Sequence, residues 1–178
     1  MRWVLWIGGI LAAVVGVAFI VGFALPQNHV ASRSARFASP PEVVWEAITG
    51  VEQYPSWRKD VDSVQLLTGE SDTLAWREVS GGDRISFVAE TVEAPSLLVT
   101  RISDKSLPFG GSWEYRIERD GTGSRITITE NGEVYNPIFR FVSRFVIGHT
   151  ATIDKYLSDL AARLGETIVP ALSGSGRG

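Results

Sequence analysis

Cysteine is absent from this 178-residue chain, which excludes disulfides and thiolate metal sites. Histidine is scarce: His29 and His149 are the whole supply, and no metal-ligand spacing surrounds them. There is no phosphate-cradling glycine loop and no nucleophile motif. No basic run is interleaved with aromatics. Setting Arg2 aside leaves 16 of the 17 basic residues against 20 acidic ones, a net charge of −4. That balance argues against nucleic acid as a partner. Neither a metal nor a cofactor is expected.

Charge itself is missing from Val4 to Leu25, a stretch with no strongly polar residue either. As a helix this run reaches about 33 Å, enough for a hydrocarbon core of about 30 Å. Trp3 and Trp6 stand at one end, where indole rings favour the membrane interface. A cleaved signal is the rival reading, because Gly22-Phe23-Ala24 has a small-x-small form. The apolar part of such a signal spans only about 7–15 residues, however. Residues 1–25 therefore read as a single-pass anchor that contacts the membrane through residues 4–25. Arg2 precedes the span, whereas Arg33 and Arg36 follow at a distance, which tilts the orientation toward a cytoplasmic N-terminus and an outside domain.

After the anchor, residues 26–31 read as a polar linker, 32–168 as the folded domain and 169–178 as a flexible tail ending in "SGSGRG". "SARFA" (Ser34 to Ala38) alternates as a first strand. "SPPE" then offers Ser39 as N-cap and Glu42 three residues on, a capping-box start for "PEVVWEAIT", which stops at Gly50. A short turn over "EQYPSW" precedes six predicted strands: Val61–Thr68, Thr73–Ser80, Arg84–Glu93, Leu97–Asp104, Ser112–Arg119 and Ser124–Tyr135. Turn residues punctuate them, from Gly69 with Asp72 to Asp120-Gly121, and the short gaps imply antiparallel pairing. Asn136 and Pro137 then open one long helix to Leu164. Its apolar face carries Ile138, Val142, Phe145, His149, Ile153, Tyr156, Leu160 and Leu164, with Arg140, Arg144, Lys155 and Ser158 opposite. The predicted class is α+β, an antiparallel curved sheet wrapped on a long C-terminal helix and preceded by one transmembrane helix.

In this order, "SPPEVVWEAITGVEQYPSW", "AWREV", "LPFGGSWEY" and "TENGEVYNPIFRF" resemble the SRPBCC or START-like superfamily with its helix-grip fold. The chain is most similar to membrane-anchored members labelled polyketide cyclase/dehydrase-like, over about Ser32 to Glu166. The resemblance implies a cavity for a hydrophobic or amphipathic small molecule and leaves the ligand open.

Strand alternation nominates the cavity's lining. Leu74, Trp76 and Glu78 share one face; Trp113, Tyr115 and Ile117 share another; Ile126 and Ile128 bring Glu130 to their side, with Glu133 outward. Val142, Phe145 and His149 come from the helix stripe. Each has a plainer alternative. The carboxylates could be paired structurally, with Arg101 or Arg140 as partners, and a bulge at Asn131-Gly132 would turn Glu130 outward. His149 and the aromatics could be ordinary core, and Arg140 with Arg144 a solvated face or a contact for lipid phosphate.

Two function classes follow. One is a membrane-tethered binding module for a hydrophobic or lipid-like small molecule, with Trp76, Glu78, Trp113, Tyr115, Glu130, Val142, Phe145 and His149 around it. The other is a cyclase- or dehydrase-like enzyme using Glu78, Glu130 and His149 as acid–base groups. A structural membrane partner without a ligand is a further alternative.

Overall fold

A computed structural model describes residues 2–67, 73–148 and 150–172. Helix α1 (Arg2–Ala24) is the expected apolar helix. Its segment Trp6–Ala24 has a mean hydropathy of 2.5 and is long and apolar enough to cross a membrane. Nearly all of its side chains are exposed.

Strand β1 (Asn28–Phe37) begins well before Ser34, so residues 28–31 are sheet rather than linker. Alternation explains it: His29, Ala31, Arg33, Ala35 and Phe37 occupy one face, a pattern that simply continues upstream. Helix α2 (Pro41–Thr49) does close at Gly50, but no capping box forms at its start. The Ser39 hydroxyl donates instead to Glu166 at 2.6 Å, and the backbone N–H groups of Ala38 and Ser39 donate to the same carboxylate at 2.6 and 3.0 Å. Glu42 pairs with Arg119. A 3₁₀ turn (Val51–Gln53) leads into α3 (Tyr54–Trp57).

The remaining strands are β2 (Ser63–Leu66), β3 (Ala75–Ser80), β4 (Asp83–Glu93), β5 (Leu97–Ile102), β6 (Phe109–Asp120) and β7 (Gly123–Val134). The predicted turn at Gly69 and Asp72 lies outside the described residues. With a short β8 (Ala171–Leu172), the sheet among the described residues has eight strands, in the order β2-β3-β4-β5-β6-β7-β1-β8, every adjacent pair antiparallel. Strand β8 pairs with Arg33 and Ser34, so residues 171–172 are not loose tail. The β7 register runs unbroken past Asn131 and Gly132 against both neighbours. The irregularity falls instead between Ala89 and Thr91 of β4, which leaves Glu130 on the inner face.

The C-terminal helix is not continuous. Asn136 does cap α4 (Pro137–Val142), its side chain accepting from the N–H groups of Ile138 and Phe139 at 2.9 and 3.3 Å. A π-helical turn (Ser143–Ile147) follows, and Gly148 at φ +79° breaks the chain before α5 (Ala151–Arg163). A side chain at that φ would be strained, so glycine is what permits the break. Helix α5 buries Ile153, Tyr156, Leu157, Leu160 and Ala161 against the sheet, a three-and-four spacing that makes one apolar stripe. Each fully buried aliphatic side chain there contributes about 1.5–3 kcal/mol.

Arg140 also departs from the sequence expectation. It is not on a solvated face but buried, because α1 packs on α4 and covers it. Its guanidinium donates to the carbonyls of Val134 and Tyr135 at 2.8 and 2.9 Å, and to Gly22 and Leu25 at 3.4 and 3.3 Å. The last two are among the orphan carbonyls at the end of α1, where a cation is electrostatically favoured.

Candidate ligand-binding site

The concave sheet face and the α4–α5 segment enclose a cavity of about 510 Å³, within the roughly 300–1,000 Å³ usual for small-molecule sites. One wall is the ring pair Trp76 and Phe87, stacked with centroids 5.4 Å apart. A second is Trp113, Tyr115 and Tyr156, in mutual contact at 5.6–5.9 Å. Val142 and Phe139 of α4 close the side facing the helices. Phe139 is half exposed while lining the cavity, which marks the mouth.

At one end stands Arg58, delivered by the end of α3. Its Nη1 lies 3.0 Å from Oε2 and 3.1 Å from Oε1 of Glu78, while Nη2 donates to Asp60 at 2.8 Å. Trp76 Nε1 donates to Glu78 Oε1 at 2.9 Å, so both oxygens of this buried carboxylate are engaged. The guanidinium also lies over the rings of Tyr54 and Tyr156, 5.0 and 5.4 Å from their centroids. Lys155 reaches Asp60 at 2.8 Å. Burial opposes ionisation of Asp60, but the bonds from Lys155 and Arg58 outweigh it and bring its pKa down to about 2.

At the other end is Glu130, on β7. Its Oε1 lies 3.5 Å from His29 Nε2, a distance for an ion pair rather than a tight hydrogen bond. Its Oε2 is buried with no hydrogen-bond partner among the described residues. Burial pushes the carboxyl up to about 7. The His29 ring lies directly over Gly132, where a Cβ would overlap it, so the glycine makes room for the imidazole.

Of the residues proposed from sequence, Trp76, Glu78, Trp113, Tyr115, Glu130 and Val142 all line this cavity. Phe145 does not. It is 59% exposed and packs on Phe141, because the π turn rotates it away from the phase of a regular helix. His149 lies outside the described residues. Glu133, expected outward, pairs with Arg101 at 3.7 Å but also borders the cavity. The carboxylate partners are thus Arg58 and His29, not Arg101 or Arg140. Sequence reasoning missed both partners, along with Phe87, Phe139 and Tyr156 as lining residues. His29 was recoverable by running the β1 alternation backwards; Arg58, in a helix-end turn, carried no periodic signal.

Residues 28–165 match the family described as polyketide cyclase/dehydrase and lipid transport. The chain belongs to that family. Solved structures agree on the fold. A START superfamily protein from Mycobacterium smegmatis aligns with TM-score 0.59 and 15% identity, over 77% of this chain and 97% of its own. An aromatase/cyclase from a Streptomyces species aligns with TM-score 0.58 and 14% identity, over 78% and 92%. Norcoclaurine synthase from Thalictrum flavum gives 0.61 and 10%, over 83% and 92%. At such identities the likeness speaks for the helix-grip fold alone. No curated protein sequence matches the chain.

Proposed function

We propose that this family member is a membrane-tethered module that binds a hydrophobic or lipid-like small molecule. Residues 1–25 serve as the anchor, the domain extends to about residue 168, and the N-terminus is cytoplasmic with the domain outside. The observation that carries the binding reading is the cavity of about 510 Å³, walled by Trp76, Phe87, Trp113, Tyr115 and Tyr156. Aromatic walls favour an apolar body, while Glu130 Oε2, without a hydrogen-bond partner among the described residues, offers one acceptor for a hydroxyl or amine at its polar end. The test is mass spectrometry of small molecules retained by the gently solubilised full chain. A retained amphiphile is expected, reduced in Trp113→Ala and in Glu130→Gln while the fold survives. A chain that carries none, and takes none up from added lipids, would sink the reading. Tethering is tested separately by carbonate washing, after which the full chain should stay in the membrane pellet.

One observation favours a second reading, a cyclase- or dehydrase-like enzyme. A carboxyl held near neutrality beside His29 in an apolar cavity suits proton transfer. Glu130 would then carry the proton, since both Glu78 oxygens are already bonded. Turnover abolished in Glu130→Gln with ligand retention intact would favour catalysis; loss of retention favours binding.

A further inference from the structure

We propose that the α4–π-turn segment seats in the headgroup–acyl boundary of the bilayer that α1 enters, so that the cavity mouth at Phe139 faces lipid rather than water. The inference rests on the tethering reading and adds a second contact to it. At 1.5 Å per residue, Gly22 lies about 28 Å along α1 from Trp3. A helix with Trp3 at one interface therefore brings Gly22 to the opposite one. Gly22 is where α4 is docked: a Cβ there would overlap the Pro137 carbonyl, so the two backbones touch. Arg140 bonds the α1 carbonyls of Gly22 and Leu25 and locks the same junction.

What α4 and the π turn present at that level is apolar. Ile138, Phe139, Phe145 and Val146 are all exposed, Val146 at 71%, on a segment that packs on α1, whose Phe23 and Ile20 on either side of Gly22 are exposed as well. An apolar patch continuous with a membrane helix would be covered by the bilayer. Exposed Arg144, on the same turn, would meet headgroup phosphate. The segment also forms part of the cavity wall through Phe139, Val142, Ser143 and Gly148, so the buried patch and the mouth share residues.

The absence of cysteine makes the test direct. Single-cysteine variants Phe145→Cys and Val146→Cys of the full chain carry a fluorophore in phosphatidylcholine/phosphatidylglycerol nanodiscs. Val15→Cys in α1 and Glu118→Cys on the outer sheet face are the references. All four positions are exposed, so folding should tolerate the label. Labels at 145 and 146 should be quenched severalfold more by doxyl lipids than the label at 118, and severalfold less by aqueous iodide. Should 145 and 146 match 118 while 15 is lipid-quenched, the seating is overturned and the anchor stands. A label at 15 that lipids do not quench overturns the tethering, and the seating with it. Labels at 145 and 146 shielded from both quenchers would mean that protein covers the patch, which also overturns the seating.

Discussion

Glu78 and Glu130 occupy the same concave face, four strands apart in the sheet order, or about 19 Å along it at the usual strand spacing. Each stands near a side chain able to carry positive charge, and there the likeness ends. Glu78 is held by a guanidinium and an indole N–H, and its partner Arg58 is itself shared with Asp60 and two tyrosine rings. Among the described residues Glu130 has one loose contact to His29 and one oxygen with no hydrogen-bond partner. The saturated end is built to stay as it is. The unsaturated end keeps bonding capacity in reserve, and a carboxylate in an apolar wall with spare capacity is where a ligand's polar group has most to gain.

The contrast should break most visibly on removing Arg58. Arg58→Met leaves Glu78 buried without its ion partner, and a loss of about 3–5 kcal/mol is expected from chemical denaturation in detergent. Glu130→Gln should move stability the other way. With its pKa raised from 4.5 to about 7, Glu130 keeps its proton in the folded state at pH values where the unfolded chain has released it. Stability therefore falls as pH rises from about 4.5 to about 7 and is level above, by roughly 3 kcal/mol for this group. Glu130→Gln should flatten that limb and be the more stable protein at pH 8. A parent profile with no such slope would remove the claim that Glu130 is poised near neutrality.

Asp60 supplies the opposite limb. Its pKa is lowered from 3.8 to about 2, so its contribution is complete above about 4 and disappears as pH falls toward 2. Acid titration of stability should show a loss in that window, absent in Asp60→Asn. The smallest effect belongs to Lys155, which is half exposed; Lys155→Met should cost under about 1 kcal/mol by thermal melting.

What was legible in the sequence divides along the same line as what is local. A strand's side-chain period is two whatever it packs against, so Trp76, Glu78, Trp113, Tyr115 and Glu130 could be assigned a face from their neighbours alone. The order of helices and strands followed from turn and cap residues for the same reason. Helical phase was less secure, because it holds only while the helix stays regular. The π turn and Gly148 reset it between Val142 and Ile153, which expelled Phe145 from the cavity. Partner choice was not legible, since Arg58 meets Glu78 across twenty positions of chain and a turn. Arg140 was misassigned because its burial depends on α1, more than a hundred residues upstream.

That dependence bears on processing. A signal-peptidase cut after Ala24 would carry away the Gly22 carbonyl and turn Leu25 into a charged amino terminus beside the guanidinium. Arg140 would keep the carbonyls of Val134, Tyr135 and Leu25, but would lose one acceptor and acquire a like charge as neighbour. The released protein would thus be a chain with a damaged joint rather than the same domain set free. In this architecture α4 packs on the first helix, so a cut after Ala24 would remove a packing partner of α4 along with the apolar helix.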